Sequence, residues 1–326
     1  MKVFVVAALV MFACTESPEP SGPFVDSRVE TKEIPLVGVP RLDVLVVVER
    51  SPSMVEHVDR VRAQLPVLVD VLETLPGGVP DLHLGVIAAD GPMLRTSPML
   101  HGAFIWDRPL SDGTRQRNYV GRMEEVLASL IDAGTGGPAT SAPIANVLAA
   151  FNAEYAPNAG FLRPEAYLAV VIVAATDDAS GRPVADLAVD LKGMKGDPTR
   201  VIVSTIAADA PRLDAFRAQF PNRNGAAAIA SEDYGDAFEP LAQATKILLG
   251  LACWEEATVD AECVAWTDEA TVPRCGSGVA GMCWRMESKP DWCTTGSGTV
   301  TRFENVVNLP ADGVVVTMQC VIAPNS

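Results

Sequence analysis

Histidine is nearly missing from this chain: 3 occur in 326 residues, His57, His83 and His101, and none lies beyond residue 101. No HExxH pair is present, so a zinc hydrolase of that kind would lack its ligands. Basic residues are scarce as well, 25 Lys and Arg against 41 Asp and Glu, for a formal charge of −16. Such a chain repels phosphate backbones, and no Lys/Arg run offsets the repulsion, which argues against nucleic acid as a partner. GxSxG is absent, and none of the His follows a Ser and an Asp in hydrolase order. The Gly-rich stretch from Gly134 to Ser141 holds no Lys, which excludes a P-loop. Gly276-Ser277-Gly278-Val279-Ala280-Gly281 matches GxGxxG by letter but lies between Cys275 and Cys283 without a strand-to-helix unit around it. The expectation is that the protein is not an enzyme. What is abundant is apolar sequence, 48% of residues, ample for one large or two modest domains with a proper core.

The N-terminus runs Met1, Lys2, then eleven apolar residues from Val3 to Ala13, then Cys14 and a polar Ser/Pro/Glu stretch. Eleven residues at about 1.5 Å each cannot cross a hydrocarbon core of roughly 30 Å, so residues 1–13 read as a signal peptide. Met11-Phe12-Ala13-Cys14 resembles the bacterial lipobox, in which the Cys is acylated and becomes the mature N-terminus. A cleaved secretory signal with an incidental Cys14 is the alternative. By resemblance to lipoprotein sorting signals, Thr15 rather than Asp implies the outer membrane, with the protein facing the periplasm or the cell surface. Residues 14–40 carry little periodicity and read as a tether holding a domain off the lipid.

Beyond Cys14, six Cys remain, all late in the chain: Cys253, Cys263, Cys275, Cys283, Cys293 and Cys320. An even number crowded into a loop-rich segment of an exported chain reads as three disulfides. A metal site is disfavoured by the absence of any CxxC pair. The turn-like Lys289-Pro290-Asp291 favours a bridge between Cys283 and Cys293. Trp254, Trp266, Trp284 and Trp292 lie among these cysteines and read as core for a small domain that must bury large side chains.

Between these ends, strands and helices alternate. Leu42–Val48 and Ala166–Ala174 are continuous apolar runs, as expected of strands buried on both faces of a parallel sheet; Leu82–Ala88, Arg200–Ile206 and Ala226–Ala230 add further strands. Val55, Val58, Val61, Leu65, Leu68, Val69 and Leu72 share one helical stripe, kinked at Pro66. Helices are expected near 121–132, 143–154, 184–191, 212–220 and 236–248, with residues 90–120 irregular. The pattern predicts an α/β fold, a doubly wound and mostly parallel sheet with helices on both faces over residues 41–250, and a small disulfide-rich β domain over 251–326.

Ligands of open α/β sheets bind at the carboxyl ends of the strands. The first strand ends in Glu49-Arg50-Ser51-Pro52-Ser53, which resembles the Asp-x-Ser-x-Ser metal-ion-dependent adhesion motif of von Willebrand factor A-type and integrin I domains. The order of elements from about 42 to 250, and Asn158-Ala159-Gly160-Phe161-Leu162-Arg163-Pro164 before the fourth strand, resemble an A-type domain of bacterial exported lipoproteins with a Cys-rich tail. The resemblance implies Mg²⁺ or Mn²⁺ as the ion of a working site. It also implies Ser51 and Ser53 as hydroxyl ligands, a further hydroxyl from Thr140 or Ser141, and Glu49 and Asp177 as carboxylates. The motif is degenerate: Glu49 stands for Asp, and Ala174-Ala175 occupy the place of Thr-Asp, with Asp177 and Asp178 two and three residues late, so that Thr176-Asp177 supplies the pair only if the strand runs two residues longer. The plainer reading of Ser51-Pro52 is a helix start. The function this implies is adhesion-type recognition of another envelope or extracellular protein by a membrane-anchored module. The alternative is a metal-independent structural part of an envelope complex, and a third reading is an enzyme of unrecognised type.

Overall fold

The computed structural model describes residues 28–36, 41–73, 78–110, 114–132, 134–152, 155–195, 198–248, 251–256, 258–276, 278–279, 281–288, 293, 297–304, 306 and 313–322. Cys14, the signal segment and the Lys289-Pro290-Asp291 turn lie outside the described residues. The chain enters as β1 (Val29–Leu36) and continues through β2 (Arg41–Val48), a 3₁₀ turn at Pro52–Glu56, α1 (Val58–Gln64), α2 (Val67–Glu73), β3 (Asp81–Ala88), β4 (Gly91–Leu94), β5 (Ile105–Pro109), β6 (Arg115–Arg117), α3 (Met123–Ile131) and α4 (Pro143–Ala150). Then come β7 (Tyr167–Ala174), α5 (Val184–Gly193), β8 (Val201–Ala207), α6 (Pro211–Arg217), β9 (Asn224–Ala228) and α7 (Gly235–Leu248).

The sheet order is β6-β5-β3-β2-β7-β8-β9, parallel from β3 to β9, with β5 and β6 antiparallel at one edge and β4 paired antiparallel to β3. Alternation along β2 explains the two layers of helices. Val44, Val46 and Val48 meet α1, α2, α3 and α7 on one face, while Leu45 and Val47 meet α4, α5 and α6 on the other. Each fully buried Val or Leu contributes about 1.5–3 kcal/mol, so the central strands hold the fold. Pro66 separates α1 from α2 instead of kinking one helix, because it has no N–H to donate; the chain restarts through Leu68 N to Leu65 O and Val69 N to Pro66 O. Residues 90–120, expected to be irregular, supply the antiparallel edge strands. These are short, and Arg115–Arg117 is wholly exposed, so no period marks them.

β1 corrects the expectation that residues up to 40 are a tether. It pairs antiparallel with the last strand, from Val29 opposite Val321 to Leu36 opposite Val314. The α/β sheet is thus inserted into a second, β-rich unit built of β1 together with β10 (Leu251–Cys253), β11 (Thr258–Trp266), β12 (Thr271–Val272), β13 (Cys283–Ser288), β14 (Thr299–Glu304) and β15 (Val314–Ile322). Two sheets, β1-β15-β11-β12 and β10-β14-β13, enclose Ile34, Leu36, Trp254, Trp284, Phe303 and Met318. Trp254 and Trp284 are core, as expected, each donating its indole N–H, to Thr301 Oγ1 at 2.8 Å and Val272 O at 3.0 Å.

Three disulfides close this unit, Cys253–Cys293, Cys263–Cys320 and Cys275–Cys283. The expected Cys283–Cys293 bridge is corrected. Cys283 opens β13, where its neighbour Trp284 pairs with Arg274 and brings Cys275 alongside, and Cys293 meets Cys253 of β10 instead. Cys263 and Cys320 face one another across the β11–β15 ladder. Peptide mapping of the unreduced protein is expected to return these three linked pairs, and a peptide joining positions 283 and 293 would contradict the fold.

Candidate functional site

The parallel strands run in the order second, first, third, fourth, fifth, so the chain leaves the sheet in opposite directions after β2 and β7. That switch point is where open α/β sheets hold ligands. Three loops meet there: 49–54 after β2, 134–142 before α4 and 175–180 after β7. Gly137 N donates to Arg50 O at 2.8 Å, and Ala179 N to Ser141 O at 2.8 Å, so each loop is tied to its neighbour. Gly137 is required by this approach, since a Cβ there would lie 2.9 Å from the Cβ of Arg50. The three segments singled out by the adhesion-like motif are therefore brought together.

Their carboxylates are not free. Glu49 is 1% exposed, and its own N–H extends the β2–β7 ladder to Val173 O at 2.9 Å. Its longer side chain reaches across to the next loop, where Oε2 accepts from Ala175 N at 2.6 Å and Thr176 N at 2.9 Å, and Oε1 accepts from the Thr176 hydroxyl. The cavity beside it, between Met54, Val58 and Ile131, has a volume of about 10 Å³, scarcely one water. Asp177 turns to α6 and accepts from Arg212 N (3.0 Å) and Leu213 N (3.1 Å). Asp178 accepts from Ile144 N in the first turn of α4 at 3.1 Å and takes the Arg212 guanidinium at 3.2 Å.

The local sequence explains these choices. Both α4 and α6 begin with Ala-Pro, at Ala142-Pro143 and Ala210-Pro211. Proline suits the first helical position, but an Ala N-cap has no side-chain acceptor for the open amides. Asp177 and Asp178 supply that acceptor from a distant loop. Sequence reasoning named Thr176, Asp177 and Asp178 but missed Arg212 and the capping roles of the two carboxylates; the two Ala-Pro starts were the signal that a remote cap was needed.

The hydroxyls behave differently. Ser51 and Ser141 are buried, and neither Oγ has a hydrogen-bond partner among the described residues. Ser53 and Thr140 are exposed at the rim. Arg50 is clamped to Asp90 by bonds of 3.1 and 2.7 Å, which hold the Asp90 carboxyl below the usual carboxylate range. A divalent cation at this face would find neutral hydroxyls and two guanidiniums, while Glu49, Asp177 and Asp178 are already bonded elsewhere. Mg²⁺ sheds water reluctantly and is normally anchored by a free carboxylate, so this residue set does not fit it.

If Glu49 is a clasp and not a ligand, its loss must be felt without any metal. Glu49→Gln places an amide against donors and is expected to lower the unfolding free energy by about 2–3 kcal/mol in EDTA. Ser53→Ala should stay within about 0.5 kcal/mol. Urea unfolding of both variants checks this, and an unaffected Glu49→Gln protein would refute the clasp.

No family model matches the chain, and no curated protein does. Among solved structures, the chain is similar to the von Willebrand factor type A protein from Catenulispora acidiphila, at 13% identity and a TM-score of 0.37 over 92% of this chain and 66% of that one. It is also similar to proximal thread matrix protein 1 from the mussel byssus, at 15% identity and a TM-score of 0.40 over 70% of this chain and 51% of that one. A further structure of that mussel protein, described as having a zinc-occupied MIDAS motif, matches at 12% identity and a TM-score of 0.38 over 68% of this chain and 50% of that one. The chain thus spans about half to two-thirds of the length of the solved structures it matches.

Proposed function

We propose that this chain is a lipid-anchored, non-enzymatic protein-binding module of the cell envelope whose strand-end face recognises its partner without a metal ion. The observation that carries the reading is the engagement of Glu49, Asp177 and Asp178 by backbone amides and Arg212. The exposed loop residues at the switch point include Ser53, Thr140, Pro138, Ala139 and Val55 at 62% exposure, with the Arg50 and Arg212 side chains about a third exposed beside them. A rim of hydroxyls and guanidiniums around an apolar anchor suits a protein surface, since polar groups ring an apolar centre and Arg is favoured at such contacts. Acylation of Cys14 would keep the module at a membrane, the reading that the lipobox-like Ala13-Cys14 supports.

A second reading, a structural part of an envelope complex, is favoured by one observation. The outward face of the β1-β15-β11 sheet exposes Val29, Val264 and Val315, each more than half accessible. Val55→Asp and Val264→Asp separate the two: loss of partner capture from native membranes by the first alone supports the strand-end face, and by the second alone the sheet.

Metal independence is tested by calorimetry and melting in Mg²⁺, Mn²⁺ and EDTA. Dissociation constants weaker than millimolar are expected, so that about 1 mM ion adds less than roughly 0.4 kcal/mol. Micromolar affinity abolished by Ser51→Ala or Ser53→Ala would restore a metal-dependent adhesion mechanism. For the anchor, Cys14→Ser is expected to move the protein out of the detergent phase, and unchanged partitioning would count against acylation.

A further inference from the structure

At the opposite end of the sheet, where the parallel strands begin, lies a cavity of about 410 Å³, within the roughly 300–1,000 Å³ typical of small-molecule sites. Its base is rigid. Asp43, 0% exposed in the middle of apolar β2, accepts from Arg163 N at 2.7 Å and Arg163 Nε at 2.8 Å, with the Lys195 ammonium at 3.4 Å. Arg163 also reaches Asp81 at 2.6 Å and thereby faces the cavity with a fixed guanidinium. One wall is aromatic, Trp106 of β5 and Phe104, with the His83 ring 4.7 Å from that of Phe104. His83 Nδ1 donates to Phe161 O at 2.8 Å, and burial pushes its pKa down, so the neutral ring keeps its Nε2 as an acceptor. The lining is completed by Arg41 and Glu165, which pair with each other, and by Arg108.

Arg108 is the unbalanced charge. Its Nε bonds Gln116 at 3.0 Å and its guanidinium lies 5.3 Å from the Trp106 ring, with no carboxylate partner among the described residues. In a chain of charge −16, a cation left over beside an aromatic wall marks a place for an anion. Asp81 and Glu165 restrict what kind. A phosphate dianion would be repelled by both, and an apolar ligand would strip water from three cations and two carboxylates without replacing its hydrogen bonds. The occupant must donate to fixed acceptors, accept from fixed guanidiniums, lay a ring on Trp106 and carry one carboxylate. We infer that this cavity binds an acidic sugar of the uronic-acid class, with the pyranose ring on Trp106, hydroxyls donating to Asp81 and Glu165, and the carboxylate on Arg108. This inference does not depend on the strand-end face.

The test is calorimetric titration of the full chain with glucuronate, glucose, benzoate and inorganic phosphate, alongside Arg108→Gln and Trp106→Ala. Arg108 is exposed, so its variant folds even if Trp106→Ala does not. Saturable glucuronate binding, weakened roughly tenfold by Arg108→Gln while glucose binding is unchanged, is the expected result. The inference is overturned by no saturable binding up to about 50 mM glucuronate. It is equally overturned by equal glucuronate affinity in the Arg108→Gln protein, or by benzoate or phosphate binding more tightly than glucuronate. A tetrameric oligouronide assigns the source: tighter binding than the monomer means a polysaccharide, equal binding a free sugar acid, and both support the class.

Discussion

The clasp formed by the loop after β7 governs the rest of the strand-end face. Amides removed from water must find acceptors, and the amides of Ala175 and Thr176 and the first turns of α4 and α6 have none nearby in sequence. Glu49, Asp178 and Asp177 meet those needs in turn, so one short segment fastens β2, α4 and α6 to the sheet's switch point. The same bonds decide the chemistry. A carboxylate that already accepts from backbone amides has fewer lone pairs to offer a cation and is aimed away from it, and Arg212 beside Asp178 adds a charge of the wrong sign. Only the buried hydroxyls of Ser51 and Ser141 keep the character of an ion site, and neutral hydroxyls do not offset the dehydration of a divalent ion.

Much of the sheet was legible because its strands are buried on both faces. Leu42–Val48 and Ala166–Ala174 are apolar without alternation, a pattern that parallel strands between two helix layers require. Asp43 inside the first run was not singled out, because its partners Arg163 and Lys195 are 120 and 152 residues away and nothing local names them. The edge strands β5 and β6 and the outer strand β1 were hidden for a related reason. Their side chains are half-wet, and their order comes from partners far along the chain, Val29 against Val321 being the extreme.

The site divided in the same way. Which loops converge followed from the strand order, and the residues expected there lie in those loops. Their roles did not follow, because a Glu in place of an Asp differs by about one ångström of reach, and that reach carries the carboxylate across to Ala175. The disulfides show the same limit, for six cysteines imply three bridges but not their pairing. Cys263 and Cys320 are partners only because β11 and β15 are neighbours.

Amide hydrogen exchange in EDTA measures the clasp directly. Ala175, Thr176, Ile144, Arg212 and Leu213 donate to the three carboxylates, and their exchange should require an opening close to global unfolding, with rates that added Mg²⁺ leaves unchanged. Fast exchange at these five amides in EDTA, slowed only when Mg²⁺ is supplied, would mean that an ion and not the protein's own backbone organises this face.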